Sequence, residues 1–403
     1  MNPLFSRIIA PIAAIFSFRM LGLFMLIPVF TVYATHLEGA TPTLIGLALG
    51  SYGLSQGVLQ IPFGLLSDRY GRKPILTIGL LIFALGSVLG ALTHSVTGMI
   101  IARTIQGMGA IGSVLIALLA DLTPDHQRTL AMAIIGASIG ISFAVAFIVS
   151  PFIVAYAGLS GIFYLTAFLA LSALVLLHGV IPTPIAGPAD SQQQNYRERL
   201  ESVLINPHLQ RLNIGIFCQH LILTATFFAV PLRLQGAIAE GELNTAWHFY
   251  LPLLCVAFIA MVPIIFVAEK KQQMKKVFIA TVLITGLCQV GLLFMSNSWV
   301  FFAGFMLAYF IVFNVLEAML PSMISRQASA ASKGAAMGVY SSSQFLGIFA
   351  GGSLAGVLYQ MNGSVGIFIA NAIVALIWLL VASPMTFTRE ATQTNCPTSH
   401  DSV

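Results

Sequence analysis

Charged residues are scarce in this sequence. Asp, Glu, Lys and Arg make up 8% of the 403 residues, whereas a soluble globular chain usually carries about 25%. Hydrophobic residues make up 58% of the chain. Because the shortage of charge extends over the whole length, it excludes an ordinary soluble domain with a single anchor. It predicts instead that most of the surface faces lipid.

The sequence patterns of enzymes and of ATP-driven pumps are also missing. No phosphate-binding glycine loop precedes a lysine, and we find neither a nucleophile–base pair nor a metal-spaced cluster of His and Cys. The four cysteines are Cys218, Cys255, Cys288 and Cys396, and no pair of them has CxxC spacing; the first three lie inside apolar segments, so we expect buried thiols there without a disulfide or metal site. These absences predict a protein without enzymatic activity, bound metal or cofactor.

Apolar stretches that are long enough to cross a bilayer occur in two sets of six, with a polar, proline-rich connection between the sets. We place the spans near 8–35, 43–66, 75–93, 97–120, 129–155 and 160–181, and then near 209–234, 246–268, 277–295, 299–322, 332–358 and 363–383. The sequence therefore predicts an all-α membrane protein with twelve transmembrane helices in two pseudo-symmetric six-helix halves. The predicted parts are the halves 1–181 and 209–385, a linker 182–208 that is partly an amphipathic helix, and a short tail 386–403.

Basic residues alternate with the predicted spans. If the N-terminus is cytoplasmic, every Lys and Arg falls in cytoplasmic loops, apart from Arg19 and Arg103 inside spans and Arg233 near the end of the seventh span. An excess of Lys and Arg marks cytoplasmic loops, so the pattern predicts that both termini are cytoplasmic. Scattered over short loops, these residues do not form the single basic face that nucleic-acid binding requires.

The loop after the second span carries the most specific motif, Gly64-Leu-Leu-Ser-Asp68-Arg69-Tyr-Gly71-Arg72-Lys73. The pattern G-x-x-x-D-R-x-G-R-K at this position resembles the signature loop of major facilitator superfamily transporters. The resemblance implies a cytoplasmic latch, completed by Asp121, that holds the two halves together in the outward-facing state; solvated loop charges are the alternative. We expect Asp68 to lie at the N-terminus of the eleventh span, where the helix dipole favours an anion.

Two other spans resemble the same family. The segment Arg103-Thr-Ile-Gln106-Gly-Met-Gly109 resembles its motif R-x-x-Q-G-x-G, in which Arg103 either assists proton transfer or braces neighbouring helices. In the fifth span, Gly136, Gly140 and Pro151 match part of a glycine-rich motif of antiporters. Close packing between small residues explains that partial match equally well.

Most of the chain is similar to one subgroup of the family, the YajR-type drug/proton antiporters. The similarity is carried by the segments around Arg19, Asp68, Glu317 and Gln344. It implies a transporter of the bacterial inner membrane that works as a monomer.

Polar side chains inside the spans are candidates for substrate binding or proton coupling, because placing them in a membrane is costly. The candidates are Arg19, Arg103, His220, Asn314, Glu317 and Gln344. Glu317 is the carboxylate placed well inside an apolar run, so it either carries a proton or pairs with Arg19 or Lys333. Arg19 binds either an anionic substrate group or a backbone carbonyl. His220 either titrates or is a hydrogen-bonded packing residue.

The sequence thus predicts a secondary transporter that works by alternating access between two related halves. One hypothesis is proton-coupled export of small apolar or amphiphilic molecules. The other is specific uptake or efflux of a polar anionic metabolite or chelator, with Arg19 and Arg103 as substrate contacts. The expected partners are the lipid bilayer, a small-molecule substrate and protons, without nucleic acid.

Overall fold

The computed structural model describes residues 5–183, 190–294, 298–329 and 332–385, and these residues are helical apart from loops and one isolated bridge between Glu38 and Ser95. A π-helical turn, Phe5–Ile9, opens the chain. The helices that follow are α1 (Ala10–Phe24), α2 (Phe30–Ala34), α3 (Pro42–Tyr70), α4 (Arg72–Leu92), α5 (Val96–Met108), α6 (Gly112–Leu122), α7 (Asp125–Gly179), α8 (Asp190–Ile205), α9 (Pro207–Ala239), α10 (Ala246–Lys270), α11 (Met274–Phe294), α12 (Trp299–Gln327) and α13 (Lys333–Ala382).

Ten helical stretches in the described part of the chain are long and apolar enough to cross a membrane. Two of them, within α7 and α13, span 50 residues each, and each is interrupted at a glycine where the chain turns back. Gly158 has φ 63° and Gly363 has φ 62°, a left-handed conformation that strains other residues. The described chain therefore crosses twelve times, with matching turns in the two halves. This confirms the predicted fold class.

The first and fourth spans are each built from two helices. In the first span, α1 ends at Phe24 and α2 begins at Phe30. Pro28 has no amide hydrogen, and the amides of its neighbours Ile27 and Val29 bond carbonyls only three residues back. In the fourth span, α5 ends at Met108 and α6 begins at Gly112. The amides that open α6 are consequently placed in the interior of the bundle, without helical partners.

The two halves meet along α3 and the first part of α13. This contact runs from Thr43, whose hydroxyl lies 2.5 Å from Gln360 Oε1, to Gly57, which faces the carbonyl of Ser342. Between these points the two backbones touch. A Cβ atom on Gly50 would lie 2.7 Å from the carbonyl oxygen of Phe349, so only glycine permits this approach.

Six aromatic side chains form a second contact between the halves, which we call the aromatic seal: Phe143, Phe147, Phe227, Tyr250, Phe310 and Phe313. The ring of Phe147, in the first half, lies 5.2 Å from the ring of Phe227 and 5.4 Å from that of Tyr250 in the second half. Nearby, the Thr31 hydroxyl donates to the carbonyl of Phe227 at 3.3 Å.

Both contacts lie away from the loop between α3 and α4. We name the end of the bundle that carries this loop the signature-loop end, and the other the opposite end. Phe147 is 22 residues into α7, which begins at the signature-loop end, so it lies about 33 Å along that helix. The halves are therefore joined towards the opposite end. At the signature-loop end, Gly136 in the first half and Gly334 in the second would each present a Cβ to open space.

The structure shows the positions of three cysteines and of part of the predicted linker. Cys218 and Cys288 are buried, but the expectation of burial is wrong for Cys255, which is exposed on the surface of α10, and Cys396 lies outside the described residues. The predicted linker contains α8, which packs against α9 and α13. The predicted tail 386–403 falls outside the described residues.

Candidate functional site

The signature loop folds around Arg72. Gly71 has φ 92° and makes the tight turn between α3 and α4. Arg72 Nε donates to Asp121 Oδ2 at 2.8 Å, and Nη1 donates to the Ser67 hydroxyl at 2.7 Å and also pairs with Asp68. Three spans of the first half are thereby tied together by one guanidinium.

The remaining residues of the motif take different positions. Lys73 Nζ donates to the carbonyl of Ile181 at 2.5 Å, which ties the end of the sixth span to α4. The exposed Arg69 lies over the ring of Tyr70, 5.3 Å from its centroid. A Cβ on Gly64 would lie 3.6 Å from Ser113 Oγ, an ordinary contact, so close packing does not require glycine there in this conformation.

Asp68 does not occupy its expected place at the start of the eleventh span. Its partner within the described residues is Arg72. The eleventh span begins at Ser332 without a side-chain cap, and the space beside Gly334 is open. The physical reason is that the halves are apart at this end. The cluster of Asp68, Arg72 and Asp121 is assembled, but only within the first half.

We predict that Asp68→Asn lowers transport about tenfold while leaving membrane insertion unchanged, because a charge at a helix N-terminus contributes up to about 2 kcal/mol. Transport in proteoliposomes and the amount of membrane-inserted protein are the two measurements. Glu198→Gln, which neutralises an exposed carboxylate on α8, is the matched control. Equal transport by Asp68→Asn and Glu198→Gln would remove the latch role.

Two buried arginines surround Tyr52 in the first half. Arg19 is 3% exposed and its Nη2 donates to the Tyr52 hydroxyl at 3.4 Å. Arg103 is 2% exposed, lies 4.7 Å from the centroid of the same ring, and donates from Nη1 to Gln106 Oε1 at 2.5 Å. The guanidinium of Arg19 also lies 5.7 Å from the ring of Phe345 in α13. Arg19 therefore sits where the two halves meet, whereas Arg103 lies within the first half.

Glu317 and His220 form the polar centre of the second half. Glu317 Oε2 accepts from Gln219 Nε2 at 3.1 Å and lies 3.8 Å from His220 Nε2. The Glu317 side chain is 38% exposed although it is well inside α12, whereas that of His220 is 6% exposed. The carboxylate therefore reaches the open space between the halves and the imidazole lies behind it. The alternative partners Arg19 and Lys333 form no ion pair with Glu317 in the described chain.

The hydrogen bonds of His220 indicate its protonation state. Nδ1 faces the carbonyl of Ile216 at 3.3 Å, so Nδ1 carries a proton. Nε2 lies 2.8 Å from Gln344 Nε2, a donor, so it acts as an acceptor. This arrangement fits a neutral imidazole. A second proton on Nε2 would end the bond donated by Gln344 Nε2, so the Gln344 amide would have to turn its Oε1 towards the ring, and Glu317 would be the nearest anion in the described chain.

The fifth-span residues are not packed as expected. A Cβ on Gly136 or on Gly140 would meet nothing within 4 Å, so the prediction of close small-residue packing is wrong for this conformation. The spacing of four, three and four residues places both glycines on the face of α7 that carries Phe143 and Phe147. That face contacts the second half at the aromatic seal, and the glycines continue it to where the halves separate. Pro151 lies inside α7, further towards the opposite end.

The interior contains further polar residues, some of which the sequence patterns did not identify. Asn314 is buried, and its Nδ2 has no hydrogen-bond partner in the described part of the chain. Tyr52 was missed, although a tyrosine in a glycine-rich span was a usable signal. A buried cluster of Thr226, Gln289 and Asn371 was missed because its members are far apart in sequence; Asn371 Nδ2 donates to Gln289 Oε1 at 3.1 Å.

Comparison with known proteins agrees with the twelve-span architecture. The sequence profile described as Major Facilitator Superfamily matches residues 12–270 and 212–401. The inner membrane transport protein YajR of Escherichia coli (strain K12) is 44% identical over 380 residues, covering 93% of this chain and 82% of YajR. The quinolone resistance protein NorA of Staphylococcus aureus (strain MSSA476) is 27% identical over 386 residues, covering 89% of this chain and 92% of NorA.

Solved structures share the fold at low identity. The crystal structure of a bacterial homologue of the human lysosomal transporter Spinster, in an inward-facing and unoccupied conformation, superposes with a TM-score of 0.76. The two sequences are 13% identical, and the match covers 95% of this chain and 98% of that one. The chain therefore belongs to the Major Facilitator Superfamily: it is a YajR-like, multi-pass membrane transporter and not an enzyme.

Proposed function

We propose that this protein is a proton-coupled exporter of small amphiphilic molecules in the bacterial inner membrane. It works as a monomer by alternating access, and both of its termini are cytoplasmic. The observation that carries the proposal is the position of Glu317, a partly exposed carboxylate beside His220 inside an otherwise apolar span. Similarity to YajR, an inner membrane transport protein, supports the location in the inner membrane. Similarity to NorA, a quinolone resistance protein, supports export of drug-like molecules.

The proposed orientation makes the signature-loop end cytoplasmic. Its basis is the distribution of Lys and Arg, which fall almost entirely in loops at that end. With this orientation, the conformation described above is inward-facing. Substrate and protons from the cytoplasm reach the space between the halves, and the α3–α13 contact and the aromatic seal close the path to the periplasm.

Glu317 is the proposed proton carrier. Water from the cytoplasmic side reaches its carboxylate, which can release a proton there or pass one to His220 Nε2 at 3.8 Å. Protonation of His220 requires the Gln344 amide to rotate or to move away, and its neighbour Phe345 contacts Tyr52 with ring centroids 6.1 Å apart. A change in charge beside α12 is thus transmitted to the contact between the halves. This change in charge shifts the equilibrium between the inward-facing and outward-facing states, because the charge is solvated differently in the two states.

Closure of the cytoplasmic side uses surfaces that are unoccupied in the inward-facing state. Asp68 approaches the N-terminus of α13, where Gly334 leaves room, and the Gly136–Gly140 face of α7 closes on the second half. The periplasmic contacts then separate. Both ends cannot stay closed around a substrate that must enter and leave, so the two sets of contacts alternate.

The test is substrate-dependent proton movement in proteoliposomes with an acidic interior, followed by the acridine dye ACMA. A panel of neutral, cationic and anionic amphiphiles is added from outside, where exchange for internal protons restores dye fluorescence. We expect recovery with at least one class and none in protein-free liposomes. If every compound left the proton gradient unchanged, the proposal of proton-coupled export would be wrong.

A further inference from the structure

The interior of the first half contains two positive charges without a negative partner. Arg19 and Arg103 are both almost fully buried, and their described hydrogen bonds go to the neutral groups of Tyr52 and Gln106. The Nε atom of each guanidinium is buried and has no hydrogen-bond partner among the residues that the structure describes. A buried cation without a counter-charge is costly, so the arrangement favours an anion that is supplied from outside the chain.

The carboxylates nearest in the described fold have other contacts or lie at the ends of the bundle. Asp68 and Asp121 bind Arg72 at the signature-loop end, and Glu38 lies at the opposite end, where its backbone pairs with that of Ser95. Glu317 in the second half contacts Gln219 and His220. None of these carboxylates forms an ion pair with either buried arginine.

Two hydrogen-bond donors meet at Gly112. A Cβ built on Gly112 would lie 3.2 Å from Arg19 Nη1 and 3.1 Å from Gln60 Nε2, so both nitrogens lie close against this glycine. Neither nitrogen donates a hydrogen bond within the described chain: Arg19 bonds Tyr52 through Nη2, and Gln60 accepts from Gln56 through Oε1. Both side chains are at most 3% exposed. A side chain at position 112 would push these two donors away.

The same position is the N-terminus of α6, an 11-residue helix that begins at the break in the fourth span. The first amides of a helix have no partners within it, and its dipole favours an anion. In transporters, the starts of interrupted membrane helices commonly face the anionic group of a substrate. The guanidinium, the amide and the helix N-terminus therefore combine into one anion site.

We propose that Arg19, Gln60 and the N-terminus of α6 bind the anionic group of the substrate, and that the substrates are amphiphilic organic anions. The aromatic rings of Tyr52 and Phe345 beside Arg19 provide an apolar surface for the rest of the molecule. Arg103 acts as a positioning residue, because its guanidinium lies over the ring of Tyr52. This inference rests on the proposed export function and names its substrate class.

The test compares three ligands of one shape and different charge, at fixed pH and ionic strength, on protein in a neutral detergent. They are 2-naphthoate, 2-naphthalenemethanol and 2-naphthylmethylammonium, and binding is read by thermal shift and titration calorimetry. We expect 2-naphthoate to bind at least about tenfold more tightly than the other two, the difference of about 1.4 kcal/mol that a single charge-assisted bond supplies. Equal binding of all three, or no binding of 2-naphthoate, would overturn the proposal.

Variants at two positions locate the site. Gly112→Ala should push the two donors away from the start of α6 and Arg19→Gln removes the charge, so each should weaken 2-naphthoate binding about tenfold, while Arg19→Lys should retain part of the affinity. Gly236→Ala is the matched control, since a Cβ there meets nothing within 4 Å. Unchanged 2-naphthoate affinity in Gly112→Ala would place the ligand elsewhere. If Arg19→Gln does not fold, Gly112→Ala decides.

The two proposals can fail separately. Binding of 2-naphthoate that depends on Gly112, without any coupled proton movement, would reject proton-coupled export and keep the anion site. Proton movement driven by neutral or cationic compounds, without 2-naphthoate binding, would reject the anion site and keep export.

Discussion

Gly50→Leu is expected to abolish most transport and to open the opposite end of the protein, which the proposed orientation makes periplasmic. A Cβ on Gly50 would lie 2.7 Å from the carbonyl oxygen and 3.1 Å from the Cα of Phe349, and these backbone atoms cannot turn aside. Overpacking of this kind costs about 1–3 kcal/mol or more, equivalent to a population shift of about 5- to 150-fold. The inward-facing state is destabilised, so a reporter cysteine near the opposite end should react faster with an impermeant maleimide.

Gly136→Leu is expected to shift the conformation in the opposite direction to Gly50→Leu. Nothing lies within 4 Å of a Cβ at Gly136 in the inward-facing state, so the leucine should leave that state intact and hinder closure at the signature-loop end. Both variants should transport poorly, but their reporter cysteines should change reactivity in opposite directions. If Gly136→Leu transports normally, its face of α7 does not close on the second half. If Gly50→Leu leaves maleimide reactivity unchanged, the α3–α13 contact does not seal the periplasmic side.

Glu317→Gln is expected to remove proton coupling while retaining substrate exchange. The amide keeps the shape of the side chain and can still accept from Gln219, but it cannot bind or release a proton. Transport driven by a pH gradient should fall at least about tenfold, as is typical when a group that transfers a proton is lost. Exchange of labelled against unlabelled substrate at equal pH should continue, because alternation itself does not require net proton movement.

The control for Glu317→Gln is Glu240→Gln, which makes the same substitution at an exposed position at the end of α9. It should leave both activities unchanged. Retention of pH-driven transport by Glu317→Gln would assign the proton to another group, and His220→Gln would then be the next variant to measure. Loss of exchange together with pH-driven transport would instead make Glu317 a substrate contact.

The fold was predictable because its signals are local. Long apolar runs with very little charge indicate membrane-spanning helices. The basic residues in every second loop indicate which loops lie on the same side of the membrane. The cluster of Asp68, Arg72 and Asp121 was predictable in part. Arg72 begins the third span and Asp121 lies at the end of the fourth, so their contact follows from the topology, whereas the distance between Asp68 and the start of α13 depends on the conformation. A sequence that is compatible with two conformations of the transporter does not indicate which of them the structure has.

The interior site was less predictable because its contacts are between distant residues. Gln344 and His220 are 124 residues apart, and no local pattern joins them. The role of Gly112 depends on the break before α6 and on the rotamer of Arg19, which only the packed bundle defines. The prediction of close packing at Gly136 was wrong for a related reason. A small residue indicates a place where backbones can approach, but in the described conformation nothing lies within 4 Å of a Cβ at Gly136.

Alternating closure of the two ends is tested most directly by electron-spin distances in two doubly labelled proteins made without the native cysteines. One pair, Tyr70→Cys with Lys271→Cys, reports the signature-loop end, and the other, His94→Cys with Met361→Cys, reports the opposite end; all four sites are exposed. On changing pH in the presence of a transported compound, we expect the first distance to shorten while the second lengthens. Distances that change together, or that do not change at all, would contradict alternating access by these contacts.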